Sequence, residues 1–127
     1  RPWAVAAVLM IVVMIATLWV EGVKSHWSPN FKAQPLTEAI VGPTTGPVWI
    51  GAQLFHDKGC LNCHLIAGKG GRRGPDLTEI GDQLSKNRMI LRIANGGVPL
   101  PEFAGPLKPE EMDALVAFLQ SRQREQP

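Results

Sequence analysis

Apolar positions are spread very unevenly along this chain. From Trp3 to Val20 every side chain except Thr17 is aliphatic, aromatic or a methionine, with no charge anywhere in the run. Such a run predicts a helix that is apolar on every face, about 27 Å long at 1.5 Å per residue. That length is close to the hydrocarbon thickness of a bilayer. Trp3 and Trp19 sit near the two ends, where indole rings favour the interface, and Arg1 precedes the run. A signal peptide or a buried core helix would also be apolar. A signal peptide has a shorter apolar stretch followed by small residues, whereas Glu21, Gly22, Val23 and Lys24 follow here. Residues 1–21 are therefore read as a transmembrane helix that places the chain at the cell membrane.

Beyond Glu21 the periodic pattern is lost. Pro29, Pro35, Gly42, Pro43, Gly46 and Pro47 punctuate a mixed polar stretch, so residues 22–47 are expected to form a flexible tether. Helical spacing returns in the third region, residues 48–127. Ile50, Leu54 and Phe55 predict a helix over 48–58, stopped by Gly59. Ser85 suits the N-cap of a second helix carrying Met89, Ile90 and Ile93, which ends at Asn95, Gly96 and Gly97. Pro109 suits the first turn of a third, with Glu110 and Glu111 at its positive end. In it Met112, Leu115, Val116 and Leu119 fall at i, i+3, i+4 and i+7. Lys108 takes the N-cap slot, where Ser or Thr would serve better. Glycine- and proline-rich loops join these helices, and strand alternation is almost absent. The fold class is all-α: an N-terminal membrane helix followed by a small helical domain.

Composition changes this picture little. The chain has 127 residues and a net charge of +2, with no long basic run to suggest nucleic acid as a partner. Some eighty residues are few for a self-sufficient core, so a large apolar group at the centre of the domain would make physical sense. Two cysteines are too few for a disulfide scaffold, and they lie three positions apart.

Those cysteines carry the chemistry. Cys60-Leu61-Asn62-Cys63-His64 has the spacing of a c-type haem attachment site. Two thiols on one turn can each add to a haem vinyl group, and the following imidazole then lies under the iron as an axial ligand. A thioredoxin-like pair would need a βαβ context, and a zinc site a second Cys/His pair. A plain disulfide is possible but leaves His64 without a role.

With that motif stand Gly51-x-x-Leu54-Phe55, Gly59 before Cys60, Gly74-Pro75-Asp76-Leu77, an Asn-Gly-Gly loop and a final Pro-Glu-Glu helix. Together, over residues 48–122, they resemble class I cytochrome c. The resemblance implies haem c attached through Cys60 and Cys63, with His64 as axial iron ligand and the first and last helices crossing near Gly51 and Phe118. It also implies that the Pro75 carbonyl accepts a hydrogen bond from His64 Nδ1. The sixth ligand of such domains is usually a methionine in a Met-Pro-x-Phe loop. Here Leu100 stands at that place in Val98-Pro99-Leu100-Pro101-Glu102-Phe103, and leucine cannot coordinate iron. Met89 is the alternative sixth ligand, with Met112 behind it; both also suit plain core packing. Lys58, Lys69, Arg72 and Arg73 near the motif would suit an acidic redox partner, the haem propionates, or simple solvation.

The Arg1-Pro2 start, the apolar helix and the C-terminal domain are also similar to the end of a fused cytochrome b/c subunit of a quinol:cytochrome c oxidoreductase. That resemblance implies a chain continuing upstream of Arg1, and other subunits including cytochrome b and a Rieske protein as partners. Electrons would then pass to a soluble cytochrome or an oxidase, with the haem on the outer face. The expected role is therefore an electron carrier and no enzyme by itself. The Leu100 substitution keeps a haem-based sensor or small-ligand binder as the alternative.

Overall fold

The structure, a computed structural model, describes residues 1–25, 28–95 and 107–124. Its order is α1 (Pro2–Lys24), α2 (Glu38–Val41), α3 (Gly46–Asp57), a 3-10 turn (Cys60–Asn62), β1 (Leu65–Ile66), β2 (Lys69–Gly70), α4 (Ile80–Gln83), α5 (Lys86–Asn95) and α6 (Pro109–Gln120). α1 is long and apolar enough to cross a membrane, and none of its residues is buried by the rest of the chain. Trp3 and Trp19 are 69% and 73% exposed. The one polar side chain in the run, Thr17, turns its hydroxyl inward and donates to the Met14 carbonyl at 2.8 Å. That back-bond leaves the hydroxyl without an unsatisfied donor.

The domain is organised by the packing of α3 on α6. Ala52 and Phe55 on one helix, and Leu115, Val116, Phe118 and Leu119 on the other, are almost wholly removed from solvent. The Phe55 and Phe118 rings meet tilted by 58° with centroids 5.7 Å apart, a favourable arrangement for aromatic quadrupoles. Gly51 permits the close approach. A Cβ there would lie 2.7 Å from Phe118 Cβ and run into the Ala114 carbonyl. α6 starts at Pro109 as its pattern predicts, and Lys108 serves as N-cap through a neighbour. The Glu111 carboxylate accepts from the Lys108 backbone N–H at 2.9 Å and from Lys58 Nζ at 3.2 Å.

Within the expected tether 22–47, residues 28–47 differ from a loose segment. Leu36 is 2% exposed and Val41 5%, and both belong to the same core as Phe55 and Phe118. Asn30 N–H donates to the Asn62 carbonyl at 2.7 Å, and the Ala33 carbonyl lies 3.2 Å from His56 Nε2. Arg122, just past α6, reaches the end of α2: Nη1 donates to the Ile40 carbonyl at 2.6 Å. Its guanidinium also lies 5.1 Å from the Phe118 ring centroid, close enough for a cation–π contact. The prolines limit the backbone of this segment without freeing it, because isolated apolar side chains find places on the domain. One further departure is the β1–β2 hairpin, with Ile66 opposite Lys69. Its two turn residues, Ala67 (φ 49°) and Gly68 (φ 74°), are both left-handed, as a two-residue hairpin turn with primed geometry requires.

Candidate haem-attachment site

Helix α3 runs out at Lys58 and Gly59, and the chain winds directly into the 3-10 turn. The His64 N–H donates to the Cys60 carbonyl at 3.0 Å, so both thiols and the imidazole are gathered within little more than one turn. Leu61, fully buried, pins the turn to the core, while Cys60, Cys63 and His64 remain half-buried. Both cysteines are free. Burial pushes the Cys60 thiol up.

His64 is held from behind. Its Nδ1 lies 2.9 Å from the Pro75 carbonyl oxygen. A carbonyl only accepts, so Nδ1 carries the proton and Nε2 keeps its lone pair for a metal. Nε2 has no hydrogen-bond partner among the described residues. The Pro75 carbonyl is itself fixed by bonds on either side: Gly74 N–H to the Cys63 carbonyl at 2.8 Å, and Leu77 N–H to the Leu65 carbonyl at 2.9 Å. Asp76 braces the loop by accepting from Thr78 N–H at 2.9 Å, and Thr78 Oγ1 accepts from Ala67 N–H at 2.9 Å. Gly74 lies flat against the ring. A Cβ there would come to 2.6 Å from Nδ1 and 3.0 Å from Nε2.

These donors fit haem c on their own chemistry: two unpaired thiols three positions apart on one turn and an imidazole oriented through Nδ1, with Nε2 left free. Among the described residues no other cluster of His, Cys, Asp or Glu could hold a metal ion. Of the remaining candidate residues, Leu100 lies outside the described residues. Met89 is 2% exposed within the same core as Leu61 and Leu115. Met112 is partly buried at the edge of that core. The basic group divides: Lys58 is paired with Glu111, while Lys69, Arg72 and Arg73 have no carboxylate partner among the described residues. The contribution of Asn30 was illegible in the sequence. Nothing in an isolated asparagine among prolines signals that it caps the attachment turn through the Asn62 carbonyl.

Comparison with known proteins agrees with this geometry. A cytochrome c oxidase subunit 2 from Alkalihalophilus pseudofirmus is 26% identical over 117 residues, covering 81% of this chain. The chain spans only 30% of that relative's length. No solved structure matches. The family model for cytochrome c matches residues 48–123. More than half of the chain lies on that model, and the protein belongs to the cytochrome c family, with haem c attached covalently through Cys60 and Cys63.

Proposed function

We propose that this chain is a membrane-anchored carrier of single electrons, acting at the outer face of the cell membrane as part of a quinol-oxidising bc-type complex. A Rieske protein would deliver the electron, and a soluble cytochrome or a terminal oxidase would accept it. The observation that carries the reading is the Cys60–Cys63–His64 turn with its imidazole backed by Pro75, joined to a helix none of whose residues is buried among the described residues. Haem c, once attached, supplies the exchange between ferric and ferrous iron. The chain's own residues do the rest. Cys60 and Cys63 hold the group, His64 Nε2 ligates iron, and the Pro75 carbonyl fixes the ring and raises its basicity. Leu61 and the α3–α6 core hold that turn in place. Arg1 before α1 favours the cytoplasmic side for the N-terminus by the positive-inside tendency.

A second reading is favoured by the oxidase relative, whose alignment is longer than the cytochrome domain alone. In it the domain passes electrons directly into an oxidase. Purification in mild detergent separates the two. Co-isolated b-type haem and an iron–sulfur signal support the bc-type assembly, whereas co-isolated oxidase without them overturns it.

The distal side is tested in the same preparation. Thioether ligation raises the potential of a haem relative to an open or water-bound site. Leu100→Met should therefore raise the midpoint potential and suppress carbon monoxide binding to the reduced protein. Met89→Leu should alter neither if Met89 is a core side chain. Loss of a Met/His spectrum in Met89→Leu would instead identify Met89 as the sixth ligand.

A further inference from the structure

The junction between anchor and domain carries a site that electron transfer does not require. α1 ends at Lys24, about 6 Å beyond Val20 along the helix axis at 1.5 Å per residue. If Val20 marks the edge of the hydrocarbon, Lys24 stands at headgroup depth, since the polar layer on each side is roughly 5–8 Å thick. Ser25 Oγ and Ser28 Oγ both donate to the Gly22 carbonyl, at 2.9 and 2.5 Å. Asn30 is tied to the domain through the Asn62 and Gly70 carbonyls, at 2.7 and 3.4 Å. A shallow open cleft of about 220 Å³ is left between the end of α1 and the loop that follows β2.

Its lining is Lys24, Ser25, Ser28, Asn30 and Arg72, with the backbone of Gly70 and Gly71 as floor. Two cationic residues therefore line one small space, and among the described residues no carboxylate lines it. Among the described residues neither Lys24 nor Arg72 has an acidic partner within ion-pair distance. Glu21, the nearest acid in sequence on α1, is not part of the lining. The serine hydroxyl protons are committed to Gly22 and the Asn30 amide to Gly70, so the free capacity of the cleft is the two charges. That set has the chemistry to recognise a phosphate oxyanion: a guanidinium and an ammonium contributed to one lining by two different parts of the chain.

We propose that this cleft binds the phosphate of an anionic membrane lipid, clamping the haem domain to the bilayer surface at the end of its anchor. The proposal rests on the reading of α1 as membrane-spanning, which puts the cleft at the level where lipid phosphates lie. A lipid held there would touch both α1 and the loop behind the attachment turn, and so would limit tilting of the domain relative to α1.

The test uses the full haem-loaded chain in detergent, with lipid retention read by native mass spectrometry. Wild type should retain phosphatidylglycerol in preference to phosphatidylcholine. The double variant K24Q/R72Q should lose that preference by roughly 25-fold, which is about 2 kcal/mol at ~1 kcal/mol per cation and ~1.4 kcal/mol per tenfold. The control R88Q/R92Q removes the same charge from exposed positions on α5 and should keep the preference; an unchanged haem spectrum shows that each variant is folded. Equal retention of the two lipids by wild type, or an equal loss in the control, would overturn the cleft as a site. A free anion is distinguished by phosphorus NMR. Broadening of inorganic phosphate that K24Q/R72Q abolishes, without lipid preference, would overturn the lipid assignment. Extraction of wild type from phosphatidylcholine vesicles by alkaline carbonate would overturn the anchor reading, and the lipid site with it, whereas loss of lipid preference in a chain that resists extraction overturns the site and leaves the anchor standing.

Discussion

Helices α1 and α6 are both rich in aliphatic residues, yet α1 buries none of them and α6 buries Ala114, Leu115, Val116, Phe118 and Leu119. The difference lies in where the polar residues fall. In α6, Glu110, Asp113 and Gln120 keep one side wet, so its apolar stripe has a direction and finds α3. α1 has no such side. Thr17 bonds its own backbone, and exposed Val, Ile, Leu and Trp cover the whole circumference. Amphipathicity directs a helix to a protein partner. Its absence over a bilayer-length run directs a helix to lipid.

Truncation on the two helices should break this symmetry most plainly. Phe118→Ala should cost the domain about 3–5 kcal/mol, from lost transfer energy, the cavity and the Phe55 contact. Ile11→Ala on α1 should leave the melting of the haem domain unchanged, as followed by haem absorbance; an equal loss in the two would mean that α1 packs on the domain. A charge reverses the sensitivity. Val12→Arg should disfavour membrane insertion by about 2.5–3.5 kcal/mol while domain melting stays put, which fractionation and thermal scans together would show.

Arg122→Gln probes the segment between the two regions. It removes the donor to the Ile40 carbonyl and the contact over Phe118, so domain stability should fall by about 1–3 kcal/mol. Proteolysis between residues 28 and 47 should quicken alongside. Unchanged protection would show that Leu36 and Val41 hold this segment without help. The smallest effect concerns Glu111, whose carboxyl is held below its ordinary value chiefly by the Lys108 N–H, with Lys58 assisting. A depressed folded pKa adds stability that is present above the unfolded value and is lost as pH falls through the folded one. Melting temperature should therefore decline below about pH 4. Glu111→Gln should flatten that decline, and the variant should lose no more than wild type on acidification.

Much of this fold was legible because its signals are local. The three domain helices appear near their expected bounds, since apolar spacing and the Pro109 and Gly59 punctuation act within a single turn. The attachment turn was legible for the same reason: Cys60, Cys63 and His64 are adjacent in the chain. The docking of residues 28–47 was not. It depends on single residues without periodicity, Leu36 and Val41, and on Arg122, 82 residues from Ile40.

The sequence by itself determined that one helix has no preferred face and that two thiols and an imidazole share a turn. Both follow from covalent spacing and the 3.6-residue period. Only the tertiary structure decided what surrounds that turn. Asn30 meets Asn62, Gly74 lies against the His64 ring, and Lys24 and Arg72 line one cleft because burying the α3–α6 core brings distant backbone into contact. Contacts of that kind depend on shape and on donors far apart in the chain, and no local pattern of residues encodes them.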